Sequence, residues 1–184
     1  MKKGITMNIA KNEPLRIDYP KHWFVILFLV FEAVIVWLFY TAYSSAVGPW
    51  RTLWMVVSPS IGVVFLLFLL PPVFTYHLAG EKGIRIRMGW LINTTIPYGW
   101  ITDLKETSVR RGALSVGIGV RYFPISKALF VTSSFTDLVI LKLDGEHVIG
   151  RIRKRRVEEI VLSVSYIPAM METVKERANL AKGV

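Results

Sequence analysis

The sequence predicts a membrane α+β protein: an N-terminal transmembrane helical hairpin, then an antiparallel β-sandwich or barrel of about seven strands, capped by a C-terminal helix. Three observations predict it. Two long apolar stretches lie within the first 76 residues, short alternating segments punctuated by turn residues follow, and helical spacing returns at the end. Composition agrees: of 184 residues 53% are hydrophobic and only 20% charged, with a mean hydropathy of +0.45. A soluble domain carries about 25% charged residues. Aromatic residues at 12% exclude a disordered chain. The lack of cysteine excludes disulfide scaffolds, thiol catalysis and cysteine-ligated zinc.

Residues 23–43 (WFVILFLVFEAVIVWLFYTAY) hold one charge, Glu32, and residues 53–76 (LWMVVSPSIGVVFLLFLLPPVFTY) hold none. As helices they reach roughly 32 and 36 Å, enough for a hydrocarbon core of about 30 Å. Buried core helices usually carry a polar stripe, and neither stretch has one. A cleavable signal peptide fits poorly, because the first run starts past residue 20 and outlasts an h-region of about 7–15 residues. Tyr19 and Trp23 mark one boundary, Tyr40, Tyr43, Trp50 and Trp54 the other, and Tyr76 returns to the first, as in aromatic belts. Pro59 lies in the second span with Ser58 and Ser60 to satisfy freed backbone groups, and Pro71-Pro72 kinks or ends it. Residues 44–52 form a short loop, hence a tight antiparallel hairpin. Lys2, Lys3, Lys11, Arg16 and Lys21 precede the hairpin, Arg51 sits in its loop, and every other Lys and Arg follows residue 76. The positive-inside rule then puts both termini in the cytoplasm of a multi-pass cell-membrane protein, and gives the net charge of +10 an ordinary explanation.

The expected organisation is a cytoplasmic segment 1–22, the hairpin 23–76 with spans 23–43 and 53–76, a cytoplasmic domain 77–168, and a helical extension 169–184. A first strand is expected at 74–78, turned by residues 80–83. In the next, Ile84, Ile86 and Met88 alternate with Arg85 and Arg87. Residues 93–109 read as one or two strands broken around Pro97 and Gly99. Residues 115–123 read as another, with Gly117 and Gly119 marking a bulge or a close backbone approach. Strands at 128–132 and 137–143 follow, and Asp144-Gly145-Glu146 supplies a hairpin turn into 147–153. Val157, Ile160, Val161 and Val164, then Ile167, Met171, Val174 and Ala178, have helical spacing. Pro168 kinks or divides that helix, and Glu158 and Glu159 suit the dipole at its start.

Residues 76–107 (YHLAGEKGIRIRMGWLINTTIPYGWITDLKET) resemble the first half of the bacterial pleckstrin-homology-like domains found in small membrane proteins. The matching positions are Gly83 and residues 89–91, 95–98 and 101–104; residues 117–123 and 139–152 are similar to the family's second half. The resemblance covers roughly residues 74–168. It implies a pleckstrin-homology-like (PH-like) fold behind a helical hairpin and is silent about a ligand. The last helix extends past the family pattern at Pro168.

No catalytic, cofactor or metal site is read. His22, His77 and His147 lack metal-ligand spacing, and no nucleophile elbow, phosphate-binding glycine loop or dinucleotide fingerprint is present. His77 reads as an interfacial residue, and Asp103 and Glu106 as strand-edge polar groups. Glu32 is an intramembrane carboxylate, costing about 2.5–3.5 kcal/mol if ionised at a helix centre. It forms either a proton-linked site or oligomer contact, or a protonated acid bonded to Ser58 or Ser60. Two basic clusters are candidate anionic-lipid contacts: Lys82, Arg85 and Arg87; and Arg151, Arg153, Lys154, Arg155 and Arg156, with Arg110 and Arg111 near in pattern. Beside an anionic leaflet each cation adds about 1 kcal/mol of attraction. The alternative is a solvated strand end that merely satisfies the positive-inside rule. The function expected is a non-enzymatic membrane protein presenting a cytoplasmic protein- or lipid-interaction platform; the alternative is an accessory subunit or assembly factor of a membrane complex. The expected partners are the lipid bilayer, anionic lipid headgroups, and another membrane protein or a second copy, with no nucleic acid and no cofactor.

Overall fold

The computed structural model describes residues 14–45, 47–107, 118–150 and 154–183. Helices α1 (His22–Ser45) and α2 (Pro49–Val73) form a hairpin in which Phe31 stacks on Phe65 at 4.2 Å. Their 24 and 25 residues reach about 36 and 38 Å. Each is long and apolar enough to cross a membrane, with a mean hydropathy of 2.4, yet only 11% of either apolar window is buried. Gly62 faces Ile35 across the hairpin, where a Cβ would make ordinary contact at 3.5 Å from Ile35 Cδ1. Ser60 Oγ donates to Val56 O at 2.7 Å, beside the interruption at Pro59. At the far end the helix stops after Pro71 and Pro72, whose carbonyls accept from the Phe74 and Thr75 N–H groups at 3.2 and 3.3 Å.

Two sheets follow. Strands β1 (Leu15–Ile17), β2 (His77–Ala79), β3 (Gly83–Met88) and β4 (Ile92–Pro97) pair antiparallel in that order. Strands β5 (Ile101–Thr107), β6 (Gly119–Phe123), β7 (Ala128–Thr132), β8 (Leu138–Ile149) and β9 (Arg155–Ser163) form a second sheet of order β5-β8-β9-β7-β6. Helix α3 (Ile167–Lys182) follows β9 and buries Met170, Val174 and Ala178 in the core shared by both sheets. Ile84, Ile86, Met88 and Ile96 from the first sheet meet Leu141, Ile160 and Leu162 from the second in that core. Arg177 Nη1 ties α3 to the first sheet through Ala79 O and Gly80 O at 2.6 and 2.8 Å. At Gly83 a Cβ would sit 2.3 Å from Ile96 O, so that strand pair closes only over glycine.

Several elements differ from the sequence reading. Nine strands stand among the described residues rather than about seven, and β7 runs parallel to β9, so the second sheet is mixed rather than antiparallel. The segment 1–22 contributes β1, in which Ile17, and after it Tyr19, turn into the core while Arg16 faces out opposite Leu78. The strand expected at 74–78 starts only at His77, because the Phe74 and Thr75 amides are still held by the helix end. Asp144-Gly145-Glu146 is no hairpin: β8 runs through it, and its register against β9 shifts between Lys142 and His147, a bulge that leaves those polar residues exposed. Residues 155–163 are a strand, not the start of a helix. As a central strand β9 is continuously buried from Ile160 to Ser163, and apolar residues at consecutive positions imitate helical spacing. The helix starts at Ile167 with Pro168 in its first turn, where the missing N–H has no intrahelical role. It crosses the expected 168/169 boundary and packs on the core. Gly119 adopts φ +115° in β6, whereas Gly117 lies outside the described residues.

Candidate functional site

The hairpin joins the module at a junction built from the entry to α1, the end of α2 and the β3–β4 turn. Pro71 has no N–H, so the Leu67 carbonyl one turn back loses its helical donor. Trp90 Nε1 takes that place at 2.8 Å. The Pro72 carbonyl accepts from Tyr19 OH at 2.5 Å, Thr75 Oγ1 lies 2.7 Å from the same hydroxyl, and the Gly89 N–H donates to Thr75 Oγ1 at 2.9 Å. Gly89 has φ +53°, and a Cβ there would meet Pro72 Cδ at 2.9 Å. Only glycine fits so tight a turn.

His77 sits beneath this junction, fully buried rather than interfacial. Its Nδ1 accepts the Arg87 N–H at 3.1 Å and its ring packs on Tyr19 with centroids 5.0 Å apart. Nδ1 as acceptor leaves the proton of the neutral ring on Nε2, which is buried without a partner. Burial pulls the imidazole pKa down to about 4, and burial pushes the Tyr19 hydroxyl up to about 12 against the opposing Thr75 hydrogen bond. The outer surface of the junction is apolar and uncovered, with Phe74 72%, Trp90 66% and Leu91 44% exposed. Cations surround it: Arg87 on β3, Arg16 lying 4.2 Å over the Tyr76 ring, and Lys21 3.9 Å from Asp18.

The candidate basic residues are not brought together. Arg85 and Arg87 point outward from β3, and Arg85 Nε donates to Asn93 Oδ1 at 3.0 Å. Lys82 lies in the turn at the other end of that strand, about 23 Å from Gly89 at strand rise. There it lines an open groove of about 430 Å³ with Arg85, Glu81 and Pro14. Lys154, Arg155 and Arg156 lie at the start of β9. Arg155 stacks over Tyr122 at 5.4 Å, and Arg156 lies 3.8 Å from Glu146. Ser163, at the opposite end of β9, accepts from the Ser133 N–H at 2.9 Å; nearby Phe135 meets Trp23 of α1 edge-on at 6.0 Å. Eight strand residues, about 26 Å, therefore separate Arg155 from the hairpin end of β9. Arg110, Arg111, Arg151 and Arg153 lie outside the described residues.

Other polar groups have structural partners. Lys127 binds both Glu146 and Glu158, the latter at 2.8 Å; the two carboxylates raise its ammonium pKa and Lys127 lowers that of Glu146. His147 Nε2 lies 2.6 Å from Asp144 while its ring stacks on Trp100 at 3.8 Å, closing the β8 bulge. Asp103 pairs with Lys105 at 3.0 Å, which holds its carboxyl below the usual range, and Glu106 is exposed on the same strand. Glu32 faces α2, its Oε2 4.0 Å from the position of a Cβ on Gly62. The expected serine bond is not made: Ser60 serves its own helix and the buried Ser58 Oγ has no partner. Among the described residues, no three histidines or carboxylates gather as a metal site.

The junction bonds were missed in the sequence. A proline pair at a helix end announces carbonyls in need of donors, but nothing in the string says that Trp90 and Tyr19 supply them. No family model, curated protein or solved structure matches this chain.

Proposed function

We infer that this is a non-enzymatic, multi-pass protein of the cell membrane, spanning the bilayer with α1 and α2 and holding its α+β module in the cytoplasm as an interaction platform. One observation carries the reading. Only 11% of each helix's apolar window is buried, and the core that the sheets and α3 close takes from the hairpin just Phe24 and, at its edge, Leu69 and Val73. In water the uncovered surface, far above a few hundred Å², would aggregate; lipid covers it without cost. The distribution of Lys and Arg supports cytoplasmic termini. The motifs of residues 76–107 and the sheets closed by a C-terminal helix support kinship with PH-like domains, and the parallel β7–β9 pair departs from an all-antiparallel sandwich.

Electrostatics divides the basic residues between two partners. Screening leaves little attraction beyond about 10 Å. Arg16, Lys21 and Arg87, at the hairpin end, are the cations that anionic headgroups would feel. Lys154, Arg155 and Arg156 face away and suit an acidic protein surface instead. A shallow groove on α2 between Val56, Ser60 and Val64 favours the second reading, an accessory subunit whose hairpin packs on another membrane protein. Alkaline carbonate washing of membranes tests the primary reading: the protein should stay in the pellet until detergent is added, and release by carbonate alone would end it.

A further inference from the structure

We propose that the β3–β4 turn is a third membrane contact, in which Trp90 and Leu91 enter the boundary between headgroups and acyl chains beside the end of α2. The inference rests on the membrane-spanning reading and adds to it a fixed point of the module that touches lipid. Its partner is the lipid interface itself, whatever the headgroup charge.

Three observations converge. The first is depth. Trp90 is bonded to Leu67, six residues before the last residue of α2, so its indole lies up to about 9 Å back along the helix, beside the apolar stretch rather than beyond it. Interfacial segments bury their apolar faces to a depth of about 5–10 Å. The second is rigidity. Gly89 is wedged against Pro72 and its N–H is held by Thr75, so Trp90, Leu91 and the adjoining Phe74 are fixed in their exposure rather than swung out on a loose loop. The third is chemistry. Where water is plentiful it satisfies a carbonyl freed by proline; in the acyl region none is available, and the protein must supply a donor. The Leu67 carbonyl has one, on an amphipathic ring suited to a boundary between oil and water. Arg87, exposed on β3 two residues before Gly89, has its backbone about 7 Å from that glycine, and its long side chain suits the level where phosphates would lie.

The absence of cysteine makes the test direct. Leu91→Cys, Val36→Cys near the middle of α1, and Ile125→Cys in the fully exposed β6–β7 turn each receive one environment-sensitive dye in the whole protein. The labelled proteins are reconstituted into phosphatidylcholine vesicles containing lipids with a nitroxide either near the headgroup or near the chain end. The expected result is loss of Leu91 emission chiefly with the shallow nitroxide, loss of Val36 emission with the deep one, and no loss at Ile125. Quenching at Val36 with an aqueous spectrum at Leu91 overturns the inference and leaves the spanning reading standing. A blue-shifted but unquenched Leu91 label also overturns it, because protein rather than lipid would then cover the turn. If Val36 is not quenched, the spanning reading falls and takes the inference with it, whatever the Leu91 label shows.

Discussion

His77 couples the acid stability of the protein to the junction between helices and sheet. Its pKa is about 4 in the folded chain and 6.5 when unperturbed, because burial disfavours the imidazolium. Between those values the unfolded chain binds a proton that the folded chain refuses. Stability therefore falls as pH drops from 6.5 to 4 and is level above 6.5, by on the order of 3 kcal/mol across the window. Denaturant titrations in detergent at pH 7 and pH 4.5 should differ accordingly. In His77→Asn, which keeps an acceptor for the Arg87 amide, most of that difference should vanish. An unchanged pH dependence would assign the effect to other groups. Nothing in the sequence marked this histidine as buried, since it directly follows the apolar span 53–76. Its burial follows from β2 starting at His77 and from Tyr19 folding back over it.

Among the elements, α1 and α2 were legible because composition alone specifies them, and β3 because Ile84, Ile86 and Met88 alternate with arginines. β1 was not, as three residues are too short a pattern to register. β9 was misread for a physical reason: a strand packed on both faces loses the period of two that marks a strand. The two assignments differ at Leu162. In the helix once expected, Leu162 lies off the stripe of Val157, Ile160, Val161 and Val164; in β9 it is fully buried in the core. Leu162→Ala should cost about 2–5 kcal/mol, comparable to Ile160→Ala, whereas Glu159→Ala should change little. Urea midpoints decide it: a negligible loss at Leu162 would contradict the strand.

At the scale of the molecule, charge was legible and its placement was not. The runs containing Lys82 and Lys154 are plain in the sequence, but the long β8–β9 ladder carries Lys154, Arg155 and Arg156 to the end opposite the hairpin. Sequence distance says nothing of that. Orientation can be checked independently with an impermeant thiol reagent on intact cells. Val47→Cys, between α1 and α2, should label from outside, and Ile125→Cys only after lysis. The reverse pattern would invert the topology.

The pairing of β1 with β2 has one more consequence. Ile17 stands opposite His77 although both helices lie between them in the chain, so the helical pair is an insertion into a single β-hairpin. During synthesis the first strand must wait, unpaired, until both helices and then β2 have been made. Trimming the polypeptide to begin at residue 77 would strip away an edge and bare the flank of β2 to intermolecular pairing. Excising the greasy insert and joining residue 20 to residue 74 through a short loop would instead keep the ladder, yet strip Phe24, Leu69 and Val73 from the core they help to close.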